Sequence, residues 1–162
     1  MGSGTELEDL NSVKYLFLRE LTEPQPNSLR LVVEEAIANR AGVPGVLNSE
    51  VAGLIEGSWP IESVKGCKKF EILWNRYVAY LVTEEMSGSC GRYEDEIYTG
   101  RLLRVYSKSH FMEHLSKDTG GHVAPLHHFK LICQNHLIDI ASYSPPQIRL
   151  ISSQSSGSNW KQ

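Results

Sequence analysis

The strongest constraint on the fold is the two-residue alternation of apolar side chains in KKFEILWNRYVAYLVTEE, residues 68–85. Phe70, Ile72 and Trp74 stand at alternate positions. After a two-residue break, the run from Tyr77 to Val82 is again rich in aromatic and branched residues. In a strand, alternate side chains point to the same face of a sheet. We therefore expect two central antiparallel strands here.

Other stretches have the same strand composition and are separated by turn residues. They are SVKYLFLREL (12–21), SLRLVVEEAI (28–37), IYTGRLLRVY (97–106), HHFKLICQNHLIDIAS (127–142, read as two strands) and the closing edge strand in SPPQIRLI (144–151). The first two favour a hairpin across TEPQPNS, although the second can also be read as helical. The glycine-rich residues 39–66 predict one or two short strands and long turns.

One stretch, SHFMEHLSKD, has helical periodicity. Phe111, Met112 and Leu115 form a narrow apolar stripe, and either Ser107 or Ser109 can cap the helix at its N-terminus. A Gly-Gly pair marks its end. Many strands and one helix without strand-helix alternation predict an α+β fold, mainly an antiparallel β-sheet with one short helix packed on it.

Length and composition predict a single domain. The 162 residues, 41% of them apolar, suffice for one core. We expect that domain to span residues 12–151. Residues 1–11 are expected to form a disordered leader, of which Met1–Gly4 has the composition of a vector remnant. Residues 152–162 are expected to form a disordered tail rich in Ser and Gly.

Charge and hydropathy exclude several classes of function. A net charge of −3 provides no uniform positive field for nucleic acid. No apolar run approaches the roughly 20 residues that cross a bilayer, and the polar N-terminus does not resemble a signal peptide. The three cysteines include no C-x-x-C pair, which suits a reducing cytoplasm. Phosphate-binding and serine-hydrolase glycine motifs do not occur.

The stretch HFMEH, residues 110–114, fits the H-x-x-E-H pattern of zinc peptidases. Such a site needs a third protein ligand, a later glutamate in those enzymes, and no glutamate follows His114. We therefore reject the peptidase. The segment 110–136 still contains every histidine: His110, His114, His122, His127, His128 and His136. It provides an alternative function, a small metal-binding protein or a hydrolase, although adjacent histidines on a strand point to opposite faces.

A thiol, an imidazole and a carboxylate lie within seven residues at Cys133, His136 and Asp139. These groups can form a nucleophilic site. Cys133, however, lies in the apolar stretch KLICQ, where a buried and inert thiol is the expected outcome. We therefore predict no catalytic residue.

Five carboxylates occur between positions 84 and 96, where two tyrosines flank part of the cluster. The predicted partner-binding residues are Glu84, Glu85, Tyr93, Glu94, Asp95, Glu96 and Tyr98. Carboxylates steer association and set specificity, whereas tyrosines supply contact area at low entropic cost. An exposed acidic loop that docks a basic protein is the functional interpretation, and a mobile solvated loop is the structural one.

The phrases FEILW, YVAYLVTEE, GRLLRVYSKSHF and LHHFKLICQNHLIDIAS resemble those of small bacterial proteins among which immunity-type antitoxins are found. The resemblance spans about Ser12 to Ile151 and carries no catalytic signature. It implies a cytoplasmic protein that binds and blocks a cognate toxin without chemistry of its own. The sequence thus predicts a protein-binding module that has no cofactor or metal and binds neither nucleic acid nor membrane. Whether the protein is an enzyme is left open, and we favour a protein without enzymatic activity.

Overall fold

A computed structural model describes residues 4–39, 59–88, 93–120 and 125–151. The first sheet contains β1 (Tyr15–Thr22), β2 (Leu29–Ala38), β3 (Ile61–Glu62), β4 (Lys69–Trp74) and β10 (Gln147–Leu150). The second contains β5 (Tyr77–Glu84), β6 (Ile97–Thr99), β7 (Leu103–Lys108), β8 (His127–Ile132) and β9 (His136–Ser142). The helices of these ranges are α1 (Gly4–Ser12), α2 (Glu85–Gly88) and α3 (His110–Asp118).

Every strand pairing in both sheets is antiparallel. The first sheet has the order β1-β2-β4-β10, with β3 paired to β2, and the second has the order β5-β9-β8-β7-β6. The predicted hairpin β1–β2 is confirmed, as are the two strands read in 127–142 and the closing edge strand β10. The two strands of 127–142 pair with each other as β8 and β9. The prediction of two central strands in 68–85 is wrong for the second strand. β4 is central in the first sheet, but the chain then crosses over and β5 forms an edge of the second sheet.

The two sheets share one apolar core. Phe70, Ile72 and Trp74 are buried, as their alternation predicted, and they face the core from the first sheet. From the second sheet, Phe129 approaches Trp74 with 5.9 Å between ring centroids. Sheets that stack in this way bury the inner face of each strand, so the outer faces remain for other contacts.

The predicted disordered leader is wrong for residues 4–11, which form most of helix α1. Leu10 is fully buried in the core. The side-chain Oδ1 of Asn11 accepts N–H bonds from the three residues 101–103, at 3.1, 2.8 and 3.1 Å. These contacts are long-range, and the short polar segment contains no local signal for them. Residues 1–3 and the predicted tail 152–162 lie outside the described residues.

Helix α3 lies on the outer face of the second sheet, where it covers part of β8. Phe111 of the helix contacts the ring of His128 on β8, with centroids 4.9 Å apart. The fold class is confirmed as α+β and mainly antiparallel sheet, although the described ranges also contain α1 and the single-turn α2. No helix of the described ranges is long and apolar enough to cross a membrane.

Candidate functional site

Helix α3 begins at a serine whose hydroxyl group makes two contacts. Ser109 has extended backbone angles, φ −154° and ψ 148°, and its Oγ accepts the N–H of Met112 at 3.2 Å. Ser109 is therefore the N-cap, one of the two positions that the sequence left open. The same Oγ lies 2.8 Å from Nδ1 of His128 on β8. The cap thus joins the helix to the sheet.

A chain of buried polar groups continues from that serine across the sheet. Nε2 of His128 lies 2.9 Å from Oδ1 of Asp139, and Nζ of Lys130 lies 3.3 Å from the other carboxylate oxygen. Ser109, His128 and Asp139 are only 3%, 2% and 6% exposed. Buried polar groups are costly unless they are hydrogen-bonded, and here each has a partner. We call Ser109, His128 and Asp139, together with the partly exposed Lys130, the buried polar chain.

Aromatic rings enclose the imidazole in the buried polar chain. Tyr106 stacks on His128 with 4.3 Å between centroids and an interplanar angle of 23°. Phe111 contacts the ring of His128 from the helix. Burial raises the pKa of Tyr106 above its ordinary value. The imidazole is therefore held by rings as well as by two hydrogen bonds, which fixes its orientation.

Ser109, His128 and Asp139 are the residue types of a serine-hydrolase triad, but their setting is that of a structural network. A hydrolase needs free N–H donors beside the serine for the oxyanion of the intermediate. Here the first N–H of α3, from His110, donates to the Glu96 carboxylate at 3.0 Å. That carboxylate puts negative charge where an oxyanion would form. The serine is also almost fully buried and engaged as a cap, so we assign it to stability.

The predicted acidic cluster is partly neutralised within the chain. Asp95 pairs with Nζ of Lys108 at 2.9 Å and with Nε2 of His110 at 2.8 Å. These two contacts, the one with Lys108 first, hold the pKa of Asp95 well below its ordinary value. Conversely, the bond to Asp95 raises the pKa of His110 and that of Lys108. Asp95 and Glu96 therefore anchor the start of α3. Glu94 is exposed, as Asp95 is, but it forms no ion pair with a described residue.

Exposed aromatic and apolar side chains flank Glu94 in the chain. Tyr93, Ile97 and Tyr98 are 58%, 58% and 43% exposed. The ring of Tyr93 lies 4.1 Å from that of His110. Tyr98 packs between the Arg104 guanidinium, at 4.4 Å, and the Tyr106 ring, at 5.0 Å. We call Tyr93, Glu94, Ile97 and Tyr98 the β6 surface, because they lie on β6 or just before it.

Glu84 and Glu85 do not belong to the β6 surface, although the sequence groups them with it. Glu84 ends β5, at one edge of the second sheet, and β6 forms the other edge. Three strands separate these edges, which corresponds to about 19 Å at ordinary strand spacing. The structure therefore brings Tyr93, Glu94, Asp95, Glu96 and Tyr98 together and leaves the two glutamates elsewhere.

The histidine segment does not assemble around a common point in the described ranges. His110 contacts Asp95 and Glu113, whereas His114 pairs with Asp118 at 3.3 Å. No group of three or more His, Cys, Asp and Glu side chains in the described residues is arranged to hold a metal ion. His122 lies outside the described residues. The metal-binding and hydrolase alternative thus gains no geometric support from the described part of the chain.

Adjacent His127 and His128 do point to opposite faces, as the strand periodicity predicted. His127 is exposed and His128 is buried.

Cys133, His136 and Asp139 do not form a nucleophilic site. Cys133 is buried in the core, and burial raises its pKa to about 12. The contact between Cys133 and His136 is a backbone hydrogen bond of 2.9 Å. Asp139 bonds to His128 on the other face of the sheet. The expectation that the thiol at position 133 is buried is confirmed.

Sequence reasoning missed the buried polar chain. One signal was available, because Asp139 is a carboxylate inside the apolar stretch HLIDIAS, and a buried carboxylate requires a partner. The identity of that partner depends on the register, in which β8 pairs with β9 so that Lys130 stands opposite Asp139. The contact between Ser109 and His128 could not be predicted, because the two residues lie far apart in the sequence.

Comparison with known proteins does not alter this description. No protein-family model, no curated protein and no solved structure matches the chain. The resemblance to immunity-type antitoxins therefore stays a prediction, and the functional argument rests on the side chains described above.

Proposed function

We propose that this chain is a protein-binding module without chemistry of its own and that the β6 surface is its interface. In the form implied by the resemblance, the partner is a basic toxin that the chain binds and blocks in the cytoplasm. The observation that carries the proposal is the exposure of Tyr93, Ile97 and Tyr98 within six consecutive residues that lead into the edge strand β6. Exposed aromatic clusters of this kind are typical of protein interfaces.

The two tyrosines support the proposal because they are already held in place. Tyr93 rests on His110, and Tyr98 is packed against Arg104 and Tyr106. A side chain that is ordered before binding loses little conformational entropy when the partner arrives. Large rings that satisfy this condition are the residues that most often dominate binding energy.

Charge supports a basic partner, but through fewer residues than the sequence indicated. Lys108 and His110 already pair with Asp95, and Glu96 is bound to the start of α3. Glu94 remains exposed next to the two tyrosines. A rim carboxylate of this kind mainly increases the association rate with a positive partner and makes that rate depend on salt.

The test begins with capture of partners from the native host on resin that carries the tag-free chain. We expect one basic protein in near-equal amount, which is then purified and titrated by calorimetry. Ile97→Asp and Tyr93→Ala should each weaken binding at least about tenfold, because they remove exposed apolar anchors. Glu94→Lys should slow association, most clearly at low salt.

Matched controls are provided by the opposite edge of the same sheet. Leu81 is 51% exposed on β5, close to the exposure of Ile97, and Glu84 ends that strand. Leu81→Asp and Glu84→Lys should leave binding within about twofold of wild type. An equal loss of binding in the test and control variants, with the fold intact by circular dichroism, would contradict the proposed interface.

A further inference from the structure

A cavity of about 260 Å³ lies between the two sheets, next to helix α1. Its floor contains the buried residues Leu103, Phe129 and Ile148. Leu7 of α1 and Val105 of β7 contribute to its walls. The cavity therefore opens from the core on the inner face of the second sheet, opposite the face that carries α3 and the tyrosines of the β6 surface.

The lining is almost entirely apolar. Two prolines of the β9–β10 connection, Pro145–Pro146, complete the described wall together with Gly4. Among the described lining residues, His127 carries the one polar side chain, and this residue is exposed whereas Phe129 two positions later is buried. The polar group thus stands at the mouth and the apolar groups at the floor.

Size and polarity together select a class of ligand. An apolar cavity of about 150 Å³ in another protein stays dry and binds benzene, so the present volume has room for a substituted ring. The described lining residues include no carboxylate, lysine or arginine that could pair with a charged ligand. Because burying an unpaired charge is strongly unfavourable, the ligand should be uncharged. An uncharged ring with one polar substituent matches this cavity, because the ring fits the apolar floor and the substituent fits the polar mouth.

We propose that this cavity is a binding site for a small uncharged aromatic molecule whose single polar group hydrogen-bonds to the imidazole of His127. The ring lies against Phe129, Leu103 and Ile148, and the polar group remains at the mouth. This site is independent of the β6 surface, because adjacent residues of β7 and β8 point to opposite faces of the sheet. Either proposal can fail without the other.

The test uses p-cresol, toluene and 4-methylbenzoate, which share a methylbenzene ring and differ in the polarity and charge of the para substituent. Methyl NMR spectra of the full chain are recorded during titration with each probe. We expect saturable shifts for p-cresol at the methyl groups of Leu7, Leu103 and Ile148, weaker binding of toluene, and no binding of 4-methylbenzoate. Methyl groups near the β6 surface, such as those of Ile97, should not shift.

Two variants identify the site. His127→Ala changes an exposed side chain and should weaken p-cresol about fivefold, the effect of one hydrogen bond, without changing toluene binding. Leu7→Trp enlarges a half-exposed side chain of α1 and should abolish binding of both probes by occupying the cavity. If Leu7→Trp does not fold, Val105→Phe fills the same space from the sheet.

Several results would overturn the proposal. They are the absence of saturable shifts at these methyl groups up to the solubility limit of p-cresol, tighter binding of 4-methylbenzoate than of p-cresol, and unchanged binding in a folded cavity-filling variant. A nuclear Overhauser contact from another segment of the chain to these methyl groups, in the probe-free protein, would show that the chain fills its own cavity and would also overturn it.

Discussion

His127 and His128 are neighbours in sequence, yet they belong to two different regions of the molecule. His127 faces the apolar inner side of the second sheet and is exposed at the mouth of the cavity. His128 faces the outer side, where it is buried and bonded to Ser109 and Asp139. Strand alternation places the two rings on opposite faces, so composition alone does not reveal which histidine is structural.

The polar and the apolar face of the second sheet are stabilised in different ways. On the inner side, the core gains from burial of side chains such as Leu131 and Ile140. On the outer side, the buried polar chain contributes mainly by leaving no polar group unpaired. A substitution in the buried polar chain should therefore lower the stability, because the partners of the removed group lose their hydrogen bonds. Among the described residues, His127 has no comparable hydrogen-bond partner.

The largest expected effect is that of His128→Ala. The change removes a buried ring and leaves Ser109 and the Asp139 carboxylate without their imidazole partner, so we expect the free energy of unfolding to fall by about 3 kcal/mol. This change in the free energy of unfolding is measured by urea denaturation. His127→Ala is the matched control and should change stability by less than about 0.5 kcal/mol. Equal effects of the two substitutions would remove the distinction between the two faces.

Ser109→Ala should have the next largest effect. It removes the N-cap of α3 and one bond to His128, for a loss of about 2 kcal/mol in the free energy of unfolding. Ser107→Ala is the control, because Ser107 is exposed two residues earlier and should change stability by less than about 0.5 kcal/mol. A silent Ser109→Ala in the same urea measurement would show that the buried polar chain does not hold the helix.

The smallest expected effect is on the pH dependence of stability that arises from the pair of Asp95 and His110. The bond to Asp95 raises the pKa of His110 above the ordinary histidine value of 6.5. The stability that this pair contributes is therefore fully present below the unfolded pKa and is lost as pH rises through the folded pKa. Asp95→Asn should lower the pKa of His110, as measured by NMR titration, and remove this pH dependence.

Glu94→Gln serves as the control for that experiment, since it neutralises the neighbouring exposed carboxylate without touching the His110 contact. It should leave most of the increase in the pKa of His110 in place. A larger change in Glu94→Gln than in Asp95→Asn would mean that the general negative charge of the segment, and not the 2.8 Å contact, sets the protonation of His110.

The sequence alone determined most of the strand segments and, for β4, which side chains are buried, although it left the segment of β2 open between strand and helix. Phe70, Ile72 and Trp74 are buried because a strand repeats every two residues. The sequence also limited the cap of α3 to Ser107 or Ser109, because a serine hydroxyl can accept a helix N–H. These are local properties, which a short stretch of residues contains in full. The antiparallel α+β class follows from them.

Tertiary structure alone decided how those segments combine. The assignment of β4 and β5 to different sheets, the docking of α1 through Leu10 and Asn11, and the meeting of Ser109 with His128 all depend on contacts between residues far apart in the chain. Such contacts follow from the burial of the whole core. For the same reason, only the folded chain separates Glu84 from the β6 surface and encloses the cavity beside His127.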